Sequence, residues 1–416
     1  MRTKTFRLGI WGWWQGHNLG DNWIKNVMKR AFPFAECVPT NILKFRGYDF
    51  MICGGGGLFI YDVIRPWNKF WKIKVPFGIM GMGAEFPHES NLARRLEKKS
   101  RFFFVRDDYS IRCMKVSDAT KSYDCTFIEP LMWNELEDME PQKLFFVWRD
   151  GQELLDNQQF NDYIKYNVDV NDAWQELIRK NFTEIISDDF QTNEADIEER
   201  IAGCGFVISG RFHGIVAAIQ KGIPFIAIDI CPKIRVLVDD AGLSEYCIKI
   251  SELDKAEQLI KKALSETDQI RKKEADYRKK AHKKMQQDVL TAYKEIYKST
   301  KPIRILDCTI NVESSEYLES QQKIREYATV KTLPIKAYSG KKDEETLSLK
   351  QMQKQIKAKK PHLVIVSTMK QLTDDVQQLL QADNIEVITL TELAANTSGK
   401  DDEGYVRFLT EFLKKE

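Results

Sequence analysis

Several of the usual signposts are missing from this chain of 416 residues. Its eight cysteines form no Cys-x-x-Cys pair, which removes the common zinc spacings and the thioredoxin-type redox motif. Cys37, Cys53, Cys113, Cys125, Cys204, Cys231, Cys247 and Cys308 lie beside apolar or strand-like segments and read as reduced core thiols. No apolar run reaches 18 residues, the length that would suggest a membrane span. No signal peptide is recognised at the start, where Met1-Arg2-Thr3-Lys4-Thr5 leads into a strand pattern, so the expected location is the cytoplasm. The net charge of +2 gives no case for nucleic acid as a partner. Neither a Walker loop nor a convincing dinucleotide fingerprint occurs, and no cluster of metal ligands is visible. Histidine is scarce, with five in the whole chain, so a histidine in a glycine-rich turn stands out.

What is present is alternation. Short apolar runs are followed by amphipathic segments nearly throughout, the pattern of α/β layers with mostly parallel sheets. Polar residues from Glu135 to Pro141 mark one boundary and Lys301-Pro302 a second. The expected domains are residues 1–138, 139–300 and a small accessory α/β domain, 301–416. Within the first, Tyr48–Cys53 reads as a buried strand that ends in the turn Gly54–Gly57. At the end of the second domain, 259–297 reads as long, charged and helical. Its basic stretch from Arg271 to Lys284 has two readings, peripheral contact with an anionic membrane or a solvated helix face, and the second is favoured.

Strand ends carry the chemistry in such folds. Ser209-Gly210-Arg211-Phe212-His213-Gly214 joins the apolar run 205–208 to a helix pattern, and Ile223–Ile228 follows as the next strand. This βαβ unit puts a permanent cation and an imidazole where helix N–H groups also point, a site suited to an anionic substrate and a proton transfer. Arg149 ends the strand Leu144–Trp148, so it would face the same cleft; the alternative is a surface arginine. Asn18-Leu19-Gly20-Asp21 closes the first strand-to-helix turn, where Asp21 either caps the helix or meets substrate. Gly55 and Gly56, within the glycine run, either cradle an oxyanion or simply turn the chain. Arg106, followed by Asp107, either binds an anion or anchors a helix start. Lys233 and Arg235 either line the rim or face solvent.

Taken together, these residues resemble the polysaccharide pyruvyl transferase family up to about the second boundary. The carrying features are Asn18-Leu19-Gly20-Asp21, Gly54–Gly57 with Leu58-Phe59, Arg106-Asp107 with Ser110, Ser209–His213, Ala217-Ala218 and Gly222-Ile223-Pro224. The tail lies outside the resemblance. The resemblance implies two Rossmann-like domains facing across a cleft, as in GT-B glycosyltransferases. It also implies ketal formation from phosphoenolpyruvate on two hydroxyls of a sugar, or of a lipid-linked glycan, in capsule or exopolysaccharide synthesis, at the inner face of the membrane if the acceptor is anchored there. Arg211 and His213 match the family's functional Arg-x-His turn, and Arg149 its strand-end arginine for the donor. Asn18, Gly55 and Gly56 are carried over as further donor contacts. Asp21, Arg106, Lys233 and Arg235 are the acceptor or rim candidates. Phe212 departs from the smaller or aliphatic residue often found there. No cofactor and no metal is implied. The role expected of His213 is protonation of the enol carbon. Two other readings share this architecture, a GT-B glycosyltransferase using a nucleotide-sugar and a non-catalytic scaffold in a glycan-synthesis complex. The sequence assigns neither the acceptor sugar nor an oligomeric state.

Overall fold

Apolar runs too short for helices become strands buried on both faces, and the amphipathic segments between them cover the faces as helices. The computed structural model describes residues 6–12, 14, 18–40, 47–59, 75–85, 87, 91–148, 169–191, 196–301, 303–309, 315–332, 349–359, 361–367, 371–372, 374–383, 385–397 and 401–411. They form three sheets in which every pairing is parallel.

The first sheet has the order β2-β1-β3-β4-β5-β6. Its strands are β1 (Arg7–Trp11), β2 (Glu36–Thr40), β3 (Phe50–Phe59), β4 (Phe77–Ala84), β5 (Phe103–Val105) and β6 (Thr120–Lys121). Helices α1 (Leu19–Ala31), α2 (Leu92–Lys99) and α3 (Asp108–Met114) belong to this half. The second sheet has the order β11-β10-β9-β7-β8. It contains β7 (Glu140–Val147), β8 (Glu184–Asp188), β9 (Cys204–Ser209), β10 (Phe225–Asp229) and β11 (Cys247–Lys249). Its helices are α4 (Asp169–Asn181), α5 (Ile197–Arg200), α6 (Phe212–Lys221), α7 (Pro232–Asp240), α8 (Ala256–Ser265) and α9 (Thr267–Thr300). Strand order reverses between β1 and β3 in one sheet and between β7 and β9 in the other, and such reversal points are where open α/β sheets bind ligands.

The glycine run differs from the expected turn. β3 continues through it, with Gly54 paired to Met80 and Gly56 to Met82. Gly55 has φ +83°, and a Cβ there would lie 2.4 Å from Ile24 Cγ2. The glycines therefore let α1 approach the sheet closely. The long charged helical stretch is two helices that meet at Glu266.

Helix α9, of 34 residues and so about 51 Å long, buries a stripe that includes Ile270, Tyr277, Ala281, Met285, Val289 and Ile296. Arg271 donates to the carbonyls of Gly222 and Asn134, both at 2.7 Å, and Arg278 to that of Leu131 at 2.7 Å. These two arginines turn inward, leaving the basic stretch offered to a membrane without them. Tyr293 donates to the Ala31 carbonyl and Ser122 to Asp288, so α9 also grips the first sheet's half. No helix among the described residues is long and apolar enough to cross a membrane.

The third sheet, β13-β12-β14-β15, is built from β12 (Ile303–Asp307), β13 (Ala328–Thr332), β14 (Leu363–Val366) and β15 (Glu386–Thr389). Its helices are α10 (Ser315–Tyr327), α11 (Leu349–Lys359), α12 (Asp374–Ala382), α13 (Leu390–Thr397) and α14 (Asp402–Glu411). Alternation along its strands splits the core. Ile305, Leu363 and Ile365 join the apolar cluster of the first two sheets, while Leu306, Val364 and Val366 form a separate one. The tail is thus a sheet of its own with one face packed on the rest.

That sheet contains a titratable lock. The Arg304 amide donates to His362 Nδ1 at 3.0 Å, and burial together with the Arg304 charge pushes His362 down to about 4. Because the folded value is depressed, the stabilisation is present above pH 6.5 and is lost as pH falls through 4. The expected loss is about 3 kcal/mol. Denaturant unfolding at the two pH values should show it in the wild type and not in His362→Gln; equal pH dependence in both would exclude His362 as the cause.

Candidate functional site

The turn after β1 and the turn after β9 meet. Asn18 caps α1, its Oδ1 accepting from the amides of Gly20 at 2.9 Å and Asp21 at 3.4 Å. Arg211 occupies the cap position of α6, and the Ser209 hydroxyl both accepts from the Arg211 amide at 3.0 Å and donates to its carbonyl at 2.9 Å. This holds His213 in the first turn of α6, nearly buried. A Cβ on Gly20 would lie 1.9 Å from His213 Nδ1. Only glycine admits the imidazole at this distance, so α1 and α6 interlock here.

On its other edge the imidazole meets Asp124. His213 Nε2 lies 3.5 Å from Asp124 Oδ2, a close ion-pair contact somewhat longer than a good hydrogen bond. Asp124 follows β6 and caps the 3₁₀ turn Cys125–Ile128, its Oδ1 accepting from the Thr126 amide at 3.1 Å and hydroxyl at 2.9 Å. Burial acts to raise its carboxyl, but His213, Arg106 and the Thr126 amide outweigh that and bring it down to about 2. Asp124 is therefore a fixed anion behind the imidazole.

Asp21 behaves oppositely. Burial pushes it up to about 6, against the pull of His213, Lys233 and Arg211 and with a further push from Asp124. A carboxyl that titrates near neutrality beside an imidazole suits proton exchange. A Cβ on Gly56 would sit 3.1 Å from Asp21 Oδ1, so this glycine borders the carboxyl. Gly55 contacts Ile24 instead and lies against the helix.

Arg106, at the end of β5, is buried with Nε donating to Asp107 at 3.2 Å. Its guanidinium lies 4.3 Å from the centre of the Phe212 ring, and its Nη2 has no hydrogen-bond partner among the described residues. The departure at Phe212 therefore supplies an aromatic platform for a cation. Asp107 caps α3 through the Ser110 amide at 2.6 Å, which makes the Arg-Asp pair a helix anchor as well. Lys233, near the start of α7, reaches Glu85 beyond β4 at 2.5 Å. Arg235 does not join this group. It binds Asp229 at 3.1 Å and the carbonyls of Ser244 and Cys247, both at 3.4 Å. Arg149 lies outside the described residues.

The structure thus brings together Asn18, Asp21, Gly56, Arg106, Arg211, His213 and Lys233. Asp124 and Glu85 were not singled out in the sequence. Asp124-Cys125-Thr126 carries a weak local signal, an Asx turn after a strand; Glu85 carries none, because its partner is 148 residues away. Among the described residues no group of three or more histidine, cysteine, aspartate and glutamate side chains is placed to hold a metal ion.

Comparison with known proteins gives one family model, described as polysaccharide pyruvyl transferase, which matches residues 3–232. The match runs from before β1 to the first residue of α7 and so covers all of this group except Lys233. No curated protein matches the chain. Among solved structures, an uncharacterised protein from Klebsiella pneumoniae subsp. pneumoniae NTUH-K2044 is similar at 16% identity and a TM-score of 0.38, covering 59% of this chain and 92% of that one. MurG of Acinetobacter baumannii is similar at 10% identity and a TM-score of 0.38, covering 68% of this chain and 98% of that one.

Proposed function

Because the chain belongs to the polysaccharide pyruvyl transferase family, we propose that it transfers pyruvate from phosphoenolpyruvate to two hydroxyls of a sugar in a glycan or glycan precursor, forming a ketal and releasing phosphate. The observation that carries this reading is the His213–Asp124 pair, accompanied by Arg211, Lys233 and Asp21. Phosphoenolpyruvate carries a carboxylate and a phosphate, which calls for several cations. The family's cleft between two Rossmann-like halves would place donor and acceptor on opposite sides of the imidazole.

In this reading His213 delivers a proton to the methylene carbon of the enol, and an acceptor hydroxyl bonds to the neighbouring carbon as it loses its own proton. A second hydroxyl then displaces phosphate from the same carbon, closing the ketal. Atoms balance with one phosphoenolpyruvate and one diol consumed, and one ketal and one phosphate formed. Asp124 holds the imidazole from its Nε2 edge. Asp21 exchanges protons with the acceptor hydroxyls. Arg211 and the N-terminus of α6 hold the anionic groups.

Incubation of acceptor pools with ¹³C-labelled phosphoenolpyruvate, followed by mass spectrometry, tests the reading. A labelled ketal with matching phosphate release is expected. Nucleotide release from a nucleotide-sugar, without use of phosphoenolpyruvate, would place the chain with the glycosyltransferases instead, and no turnover of either donor would leave the scaffold reading. Arg211→Lys keeps the charge but loses the planar fork. It should lower kcat/KM for phosphoenolpyruvate by about tenfold or more, a loss of about 1.4 kcal/mol. Unchanged donor kinetics would remove Arg211 from the site.

A further inference from the structure

Beside the His213 group lies a cleft of about 640 Å³, within the range of small-molecule sites, roughly 300–1,000 Å³. One wall is a stripe of α1, formed by Leu19, Asn22, Trp23, Asn26 and Arg30. These positions recur at helical spacing, so one face of α1 presents them all. The other wall is Glu129–Met132, with Asp196 and Glu198 at the start of α5 closing the end.

Both walls run out from the reacting group. The N-terminal turn of α1 puts Gly20 against His213 Nδ1, and the second wall follows the 3₁₀ turn that Asp124 caps. Trp23 lines the cleft while its indole meets the imidazole edge-on, with ring centres 6.3 Å apart and planes at 61°. A molecule in the cleft therefore has His213 just beyond Trp23.

The lining also states what it can hold. It carries three carboxylates, Glu129, Asp196 and Glu198, against one guanidinium, Arg30. Arg30 is already paired with Glu129 at 2.6 Å and Glu198 with Lys221 at 3.1 Å, so these two cations are matched and Asp196 keeps the balance negative. An anion would meet that excess, whereas hydroxyl groups find the remaining carboxylate lone pairs and the amides of Asn22 and Asn26. Leu19, Pro130 and Leu131 offer apolar surface to the C–H face of a ring. The cations Arg211 and Lys233 are instead among the charges that act on Asp21, within the reacting group.

We propose that this cleft is the acceptor subsite and that it takes an uncharged, hydroxyl-rich sugar ring. The word acceptor rests on the pyruvyl-transfer reading; the sugar cleft does not. The test uses the full chain with a panel of neutral methyl hexopyranosides and methyl glucuronide, followed by saturation-transfer NMR. At least one neutral glycoside should receive saturation and the glucuronide should not. Asn26 is exposed on α1, and Asn26→Trp should fill the cleft, abolish the signal and raise the acceptor KM at least tenfold while phosphoenolpyruvate binding stays as it was. Asn26→Ala adds no bulk and should weaken the same binding about threefold to tenfold, a hydrogen bond's worth, which covers the case in which the tryptophan variant fails to fold. No signal with any neutral glycoside, or an unchanged signal and acceptor KM in both variants, overturns the proposal. Cleft-dependent glycoside binding with no pyruvyl transfer keeps the sugar cleft and overturns the transferase reading instead.

Discussion

Replacing His213 with alanine is expected to cut pyruvyl transfer by about 10²–10⁴-fold, the usual cost of one general acid, with a much smaller effect on phosphoenolpyruvate binding. The imidazole, carried by α6 of the second half, meets two parts of the first, with Gly20 of α1 against Nδ1 and Asp124 3.5 Å from Nε2. The groups proposed to hold the donor are Arg211 and the N-terminus of α6, which the substitution leaves in place. Binding and turnover should therefore separate, with kcat falling and the dissociation constant for phosphoenolpyruvate staying within a few-fold. The alanine also opens space beside Gly20 and strips Asp124 of a partner, so the unfolding temperature must be measured alongside. His213→Gln, which refills part of that space without the acid, should be as inactive as the alanine variant. Near-normal turnover in either folded variant would reject the assignment.

His213 stood out in the sequence because a rare residue lay in a strand-end turn with arginine and glycine. The architecture was legible for a related reason: parallel strands buried on both faces show up as apolar runs. What was hidden had physical causes. β2 contains Pro39 and is only partly buried, so it lacks the apolar run that marks its neighbours. β3 continues through four glycines that resemble a turn, because Met80 against Gly54, Ile24 against Gly55 and Glu85 against Gly57 leave no room for side chains there. Helix α1 starts at Leu19, ahead of the apolar pattern, because Asn18 supplies its cap. The two-residue strand β6 is too short for any period, and it is β6 that delivers Asp124. Lys233 is held beside this group by Glu85, which is distant in sequence.

Asp124 yields the second large effect. Asp124→Asn should lower turnover by about 10–10³-fold, short of the loss at His213, because the asparagine removes the charge behind the acid and not the acid itself. It should also destabilise the fold. The carboxyl is buried and held at about 2, against 3.8 ordinarily, by His213, Arg106 and the Thr126 amide. A depressed folded value means stabilisation that is present above about pH 4 and lost as pH falls through 2, worth about 2 kcal/mol. The variant lacks this at every pH, so its acid unfolding should be shallower than that of the wild type. A capping role alone would give the same stability loss, since Thr126 depends on the same side chain. A second variant separates the two. Thr126→Ala keeps the anion and removes the hydroxyl contact to Asp124 Oδ1, so it should share part of the stability loss and keep near-normal turnover. Turnover in Asp124→Asn no lower than in Thr126→Ala would make Asp124 a turn cap and nothing more. Turnover lost in Asp124→Asn alone, with donor binding intact, makes it the residue that positions His213.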